Sequence, residues 1–234
     1  MEVSTIVVAA LLLGGLGLVF GGVLAIVSKV FSVPADPVFD AVREALPGAN
    51  CGGCGFSGCD AYARAVAEGK AGVSQCPVGG AEAAKRIAAV MGVDAARMER
   101  KVAVVMCRGD VEKCRLRFRY DGPADCRSAL LAGDGDKACR YSCLGGGDCE
   151  KACPFGAIHV NENRLAVVDE EACRGCGVCV SACPRGVLAL MPVEHPVHRM
   201  CSARERGKVV RVNCSAACLG CGKCERSCKF GALK

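Results

Sequence analysis

Residues 173–184 read CRGCGVCVSACP and hold four cysteines within eleven residues. Thiols this close together suit convergence on one inorganic centre better than disulfides, which would also leave one of the 21 cysteines unpaired. The chain has seven Phe, three Tyr and no Trp among 234 residues, so aromatic side chains contribute little to its core. Metal cross-links are a usual substitute in such chains. The stretch therefore predicts metal centres held by cysteine side chains.

The spacing C-x2-C-x2-C-x3-C-P in this stretch resembles the run of bacterial two-cluster ferredoxins, in which the fourth cysteine ligates the other cluster. A second half lies upstream, but Gly146 stands at its second ligand position, and Cys139 is an extra cysteine that could replace it. Residues 157–169 read as a hairpin with turn residues at 161–163. The predicted [4Fe–4S] ligand sets are Cys139, Cys143, Cys149 and Cys183 for one cluster, and Cys153, Cys173, Cys176 and Cys179 for the other.

The cysteine pattern repeats after a shift of 75 residues, which indicates an internal duplication. The second copy has Cys221 where the first has Gly146, and its last cysteine is followed by Lys229 instead of proline. A further cluster is predicted on Cys218, Cys221, Cys224 and Cys228, with Cys201 and Cys214 left open as alternatives for the fourth ligand. The matched pairs are Cys126 with Cys201, Cys139 with Cys214, Cys143 with Cys218, Cys149 with Cys224, and Cys153 with Cys228.

A third cysteine motif, C-x2-C-x4-C-x16-C, lies nearer the amino terminus. Its first three cysteines are interleaved with glycines, which let a loop turn sharply and aim amide N–H groups at sulfur. Zinc is the structural alternative, since C-x2-C pairs also bind zinc. Apolar residues three and four apart predict helices over 38–46, 60–68 and 81–91 around the motif. We predict another [4Fe–4S] cluster, on Cys51, Cys54, Cys59 and Cys76.

Residues 3–28 form an uncharged, apolar run long enough to cross a membrane, for which about 20 residues suffice. Only Met1 and Glu2 precede it, so the positive region of a signal peptide is missing and a permanent anchor is predicted. Lys29 and Arg43 follow it, and the positive-inside tendency then places the remaining chain in the cytoplasm.

The formal charge of +6 does not indicate nucleic acid as a partner, because each cluster with four thiolates adds about −2 and no basic run is interleaved with aromatics. Cys107 and Cys114 lie in a basic segment that is either another cluster site, a docking face for an acidic ferredoxin, or a solvated strand with spare thiols. The three histidines, none inside a cysteine run, are predicted to be structural or solvated. The five basic residues are Arg108, Lys113, Arg115, Arg117 and Arg119, and the histidines are His159, His195 and His198.

These features predict an α+β chain with five parts. They are a transmembrane anchor (1–30), a small helical cluster domain (31–95), a cysteine-containing connecting segment (96–138), a two-cluster ferredoxin-like domain (139–192) and a second-copy ferredoxin-like half (193–234).

This order of parts resembles the B subunit of the Rnf ion-translocating oxidoreductase complex, in the long type that carries the duplication. In that type a second complete ferredoxin half usually follows the second copy, whereas this chain stops at Lys234. The resemblance implies a non-catalytic subunit in the cell membrane, which takes electrons from reduced soluble ferredoxin and passes them to flavin and NAD subunits. Its partners would be the other membrane subunits of that complex, and the coupling ion, Na⁺ or H⁺, stays open.

Two other functions are compatible with the residues. One is a polyferredoxin subunit of another membrane oxidoreductase, and the other is an iron–sulfur redox sensor. The chain itself shows no G-x-G-x-x-G motif after a strand, so a dinucleotide site is not expected in it.

Overall fold

The computed structural model describes residues 3–30, 36–194 and 197–232 and divides into two compact units, Met1–Pro37 and Val38–Lys234. Helix α1 (Val3–Val30) makes up the first unit. Its stretch Leu11–Lys29 has a mean hydropathy of 2.3 and no buried residue, so by length and composition it can span a membrane. The predictions that involve Met1, Glu2 and His195 lie outside the described residues.

The second unit begins with three helices, α2 (Pro37–Ala45), α3 (Cys59–Ala67) and α4 (Gly80–Met91), which match the predicted positions within two residues. Their apolar faces meet at Val42, Tyr62 and Ile87, all at 0% exposure. The Tyr62 hydroxyl donates to the Gly72 carbonyl (2.7 Å) and accepts the Gln75 N–H (3.2 Å), so its burial leaves no polar group unsatisfied. Each buried Val or Ile side chain contributes about 1.5–3 kcal/mol to this small core.

The ferredoxin-like part consists of short elements around a cysteine-rich core. It contains strand β1 (Lys101–Val105), helices α5 (Cys126–Leu131) and α6 (Asp148–Ala152), strands β2 (Ile158–Val160) and β3 (Ala166–Val168), helix α7 (Val178–Ala182) and strand β4 (Leu188–Pro192). Strands β2 and β3 form the predicted antiparallel hairpin. Strand β1 pairs antiparallel with β4, an arrangement that the sequence did not predict, because the two strands are far apart in the chain.

The second copy of the repeat ends the described chain with helices α8 (Lys208–Asn213) and α9 (Lys223–Ser227). Helices α6, α7 and α9 occupy equivalent places in the three cysteine runs and share one backbone geometry. Each is preceded by a glycine at positive φ, namely Gly147, Gly177 and Gly222, and each ends at a cysteine. The predicted α+β class, with its helical module and ferredoxin-like parts, is confirmed.

Candidate metal centres

Three cysteines of the helical module pack on its small core. Cys59 begins α3 and is buried beside Tyr62, and Cys76 is buried in the loop before α4. The Gly79 N–H donates to the Cys76 sulfur at 3.3 Å. Burial raises the pKa of Cys76, and the nearby thiols Cys54 and Cys59 raise it further. Three of the four predicted ligands therefore interact, and Cys51, half-buried, lies toward the ferredoxin-like part.

The structure brings together one predicted ferredoxin set as expected. Cys153, Cys173, Cys176 and Cys179 line one cavity between the hairpin and β4. The Ala103 N–H of β1 donates to the Cys173 sulfur (3.4 Å), an interaction that stabilises thiolate charge. Burial and the thiols of the other three cysteines raise the pKa of Cys179 to about 11.

The other ferredoxin set differs from the prediction in one residue. A second cavity is lined by Cys126, Cys143, Cys149 and Cys183, so the structure has Cys126 where Cys139 was expected. Burial raises the pKa of Cys149 to about 12, and the neighbouring thiols that add to the increase are those of Cys143, Cys126 and Cys183.

The physical reason for the exchange lies at Gly146. A Cβ atom on Gly146 would lie 2.5 Å from the carbonyl carbon of Asp125 and 2.5 Å from the nitrogen of Cys126. The backbone before α5 thus passes through the space that a cysteine side chain at 146 would fill. The N-cap Asp125 fixes this backbone by accepting the Ser128 N–H (2.7 Å), and Asp148 accepts the Cys126 N–H (2.9 Å). Cys126 therefore reaches the cavity from the position that the missing side chain leaves open.

Cys139 lies in a separate group, where it packs with Cys114 and Cys214. No signal in the sequence separated Cys126 from Cys139, since the repeat matches both of them to cysteines in the second copy. They are distinguished by the close approach of residues 125–126 to Gly146, a contact across some twenty residues.

The C-terminal run keeps the local geometry of the other runs but lies at the surface. Cys221 and Cys224 are exposed, and Cys218 and Cys228 are half-buried. The Ala232 N–H donates to the Cys228 sulfur at 3.3 Å. The predicted ligands of the C-terminal cluster therefore lie in and around helix α9, but they are less buried than the cysteines of the other two runs.

The helical module packs directly against the ferredoxin-like part at Gly53. A Cβ atom there would lie 2.6 Å from the Cys176 carbonyl oxygen, so only glycine permits this approach. The thiol of Cys51 is among the charges that raise the pKa of Cys176, after burial as the main cause. Cysteines of two different motifs thus lie close to one another.

The residues present fit [4Fe–4S] clusters by chemistry. The 21 cysteines all lie among the described residues and form no disulfide there, and the sulfurs of Cys76, Cys107, Cys173 and Cys228 accept backbone N–H groups. Among the described residues, no three His, Cys, Asp or Glu side chains are arranged around a single metal ion. The two described histidines lie on the exposed edge of the hairpin (His159) and half-buried in the linker (His198).

Family models match most of the cysteine-bearing chain. The model described as "Putative Fe-S cluster" matches residues 46–78, and the model described as "4Fe-4S dicluster domain" matches residues 142–187 and 172–232. The second dicluster match pairs the run at 173–183 with the C-terminal run. Together with the geometry, these matches define the class of the chain as an iron–sulfur protein that carries [4Fe–4S] clusters.

Three similar proteins extend the comparison over nearly the whole chain. The B subunit of the Na(+)-translocating ferredoxin:NAD(+) oxidoreductase complex of Acetobacterium woodii is 46% identical over 98% of this chain and 69% of its own length. The B subunit of the ion-translocating oxidoreductase complex of Methanosarcina acetivorans is 42% identical, with 90% and 80% covered. The B subunit of the proton-translocating ferredoxin:NAD(+) oxidoreductase complex of Clostridium ljungdahlii is 44% identical, with 91% and 75% covered.

The chain belongs to the family of B subunits of the Rnf-type ion-translocating oxidoreductase complexes. It is an iron–sulfur electron-transfer subunit of an ion-translocating oxidoreductase complex, as its sequence predicted. Its apolar helix α1 and its membership of such a complex indicate association with a membrane.

Proposed function

We propose that this chain accepts electrons from reduced soluble ferredoxin and conducts them through its clusters toward flavin- and NAD-binding subunits. In the complex, this electron flow would drive the movement of Na⁺ or H⁺ across the membrane. The observation that carries the proposal is the contiguous series of cysteine groups, in which Gly53 lets the first group approach the second at Cys176.

The proposed ligand sets follow the grouping of the thiols. The helical module holds the first cluster, and the two cavities hold two more, with Cys126 in place of Cys139. The C-terminal run holds another, for which Cys228 remains the proposed fourth ligand. The sets are Cys51, Cys54, Cys59 and Cys76; Cys153, Cys173, Cys176 and Cys179; Cys126, Cys143, Cys149 and Cys183; and Cys218, Cys221, Cys224 and Cys228.

A bound [4Fe–4S] cluster supplies one-electron transfer, and the protein tunes it. Thiolates hold the cluster, backbone N–H groups such as those of Gly79 and Ala103 stabilise its negative charge, and the apolar walls exclude water. Burial and neighbouring thiols raise the pKa of Cys149 to about 12 and that of Cys179 to about 11, and binding of a cluster would release the proton of each thiol.

We also propose that α1 is a single transmembrane anchor and that the cluster-bearing unit lies in the cytoplasm, because Lys29 and Arg43 follow the apolar run. The proposed division of the chain has five parts, with boundaries after residues 30, 95, 138 and 192. Strand β1 of the connecting segment pairs with β4 of the two-cluster part.

The exposed basic segment at 108–119 is the proposed docking face for ferredoxin. Three of its five cations have intramolecular partners: Lys113 pairs with Asp110, Arg117 donates to the Gly133 carbonyl (2.6 Å), and Arg119 lies 3.4 Å from Asp121. The basic charge of Arg108 and Arg115 is thus the most available to an acidic partner.

The proposal is tested by anaerobic purification of the chain from its native membranes. Identification of every co-purifying subunit is combined with an assay of ferredoxin-dependent NAD reduction. Flavin-bearing and NAD-binding subunits together with the activity support the proposed role. Purification with an unrelated oxidoreductase would point to a polyferredoxin of another enzyme, and a single labile cluster whose loss reversibly changes function would point to a sensor.

A further inference from the structure

We propose that Cys107, Cys114, Cys139 and Cys214 form one more cysteine cage, which binds a [4Fe–4S] cluster between the two copies of the repeat. This site goes beyond the ligand sets above and rests on the proposed function only for its role in electron transfer. All four cysteines are buried, at 8%, 1%, 6% and 6% exposure. Free buried thiols need no functional role when they are scattered, but these four converge.

The convergence of Cys114 and Cys214 is fixed by the backbone. The two residues form an isolated antiparallel bridge, in which the Arg115 N–H donates to the Asn213 carbonyl (2.9 Å) and the Ser215 N–H donates to the Lys113 carbonyl (2.8 Å). A residue of the connecting segment is thereby held against a residue of the second copy.

Gly109 shows that a third cysteine faces the same space. A Cβ atom on Gly109 would lie 3.0 Å from the Cys214 sulfur, 3.7 Å from the Cys107 sulfur and 3.5 Å from Cβ of Cys114. Cys107 and Cys114 of the loop at 107–114 and Cys214 of the second copy thus surround one glycine, a residue that lets a loop turn sharply at low steric cost.

Cys139 completes the group. It packs with Cys114 and Cys214 in one buried cluster of side chains. Burial raises the pKa of Cys139 to about 11, and the thiols that raise it further are those of Cys114, Cys107 and Cys214. Its neighbours are therefore the other three members of the proposed cage.

The backbone around Cys107 is arranged for a charged sulfur. The Cys107 sulfur accepts the Gly109 N–H at 3.3 Å and the Cys143 N–H at 3.4 Å. Two such bonds to one sulfur favour a thiolate. The second bond also connects the proposed cage to the adjacent cavity, which Cys143 lines.

A buried cation gives an independent indication of negative charge at this place. Lys137 is 1% exposed, and its ammonium donates to two carbonyl oxygens, those of Gly109 and Arg164, at 3.0 Å each. Burying a charge is costly unless an opposite charge compensates it. The Lys137 ammonium lowers the pKa values of Cys107 and Cys143, although burial raises both by more. Thiolates at these two cysteines, or clusters bound to them, would supply the compensating negative charge.

Cys201 provides a matched control. It packs against the same group but is half-buried, and the repeat matches it to Cys126. We exclude it from the cage because the other four are buried, and because a Cβ atom at position 109 would meet three of those four but is not seen to meet Cys201.

The experiment compares iron, acid-labile sulfide and zinc in the full chain, matured anaerobically, with the double variant Cys114→Ala/Cys214→Ala and the control Cys201→Ala. The double variant is expected to lose about four irons and four sulfides per chain, and the control none. Wild-type iron content in the double variant, an equal loss in the control, or the loss of one zinc ion instead of iron would each overturn the proposal.

If the double variant does not fold, Cys139→Ser, which keeps the side-chain volume, decides the question. We expect the low-temperature EPR spectrum of the reduced chain to lose or shift one cluster signal, and an unchanged spectrum would refute the cage. Because these readouts need no ferredoxin, a wild-type chain that holds the cluster but fails to oxidise ferredoxin would refute the proposed electron donor and leave the cage standing.

Discussion

The two copies of the cysteine repeat share their spacing and the backbone geometry of α6 and α9, yet they differ in burial. In the first copy Cys126, Cys143 and Cys149 are buried under the hairpin and the run at 173–183. In the second copy Cys221 and Cys224 are exposed. Local sequence therefore specifies the loop around a cluster, while a partner segment from elsewhere in the chain covers it.

The largest expected effect comes from removing the ligand that crosses between halves. Cys183→Ala should lose the cluster at Cys126, Cys143 and Cys149, about four irons per chain. Ferredoxin-dependent electron transfer should fall by more than about tenfold, since even outer contacts of metal ligands have effects of that size. Iron analysis and EPR check this, with Ser181→Ala as the control. Loss of only the cluster at Cys173, Cys176 and Cys179 would refute the crossed ligation.

A second test separates the two copies at their equivalent cysteines. Cys126→Ala should lose about four irons per chain, whereas Cys201→Ala should lose none, because Cys221 already stands at the second ligand position of that copy. The double variant Cys126→Ala/Cys183→Ala should lose no more iron than either single variant, since both act on one cluster. Additive loss, or equal behaviour of Cys126→Ala and Cys201→Ala, would contradict the assignment.

A smaller effect is expected from adding a side chain at Gly146, next to which the backbone before α5 passes. In Gly146→Ala the new Cβ would clash with Asp125 and Cys126, at a cost of about 1–3 kcal/mol. Thermal unfolding should therefore show a Tm lower by roughly 2–10 °C. Gly72→Ala is the control, because its Cβ would make only ordinary contacts, 3.5 Å or longer, with Gln75. Equal Tm values for the two variants would mean that residues 125–126 do not need the space at 146.

The smallest effect concerns the basic segment. Arg108→Gln/Arg115→Gln should lower kcat/KM for reduced ferredoxin by roughly two- to tenfold at low salt, because opposite charges speed the encounter of partners. The difference from wild type should shrink at high salt, where such charges are screened. Arg127→Gln, an exposed charge on α5, is the control. Unchanged kinetics at low salt would refute the proposal that ferredoxin docks on this segment.

Much of the fold follows from local sequence signals. The helices of the amino-terminal module were predicted from apolar residues three and four apart, and the hairpin from turn residues between two apolar runs. One ferredoxin cavity is lined by the four predicted cysteines. Three of them, Cys173, Cys176 and Cys179, lie in a single loop, and this close spacing restricts where their side chains can point.

What the sequence did not predict depends on contacts between distant residues. Strands β1 and β4 pair although several other helices and strands lie between them in the chain, so no hairpin turn signals the pairing. The exchange of Cys139 for Cys126 depends on a steric relation between Gly146 and residues 125–126, and spacing alone cannot express it. The grouping of Cys107, Cys114, Cys139 and Cys214 likewise requires the Cys114–Cys214 bridge between two parts of the chain.

The second copy carries both Cys201, the equivalent of Cys126, and Cys221, the equivalent of position 146. In the first copy, Cys126 lines the cavity although it lies outside the run at 143–153. The location of a sulfur in space, rather than its place in a motif, thus decides whether it can serve as a ligand. Searches that require an uninterrupted cysteine spacing will therefore undercount the redox centres of such proteins.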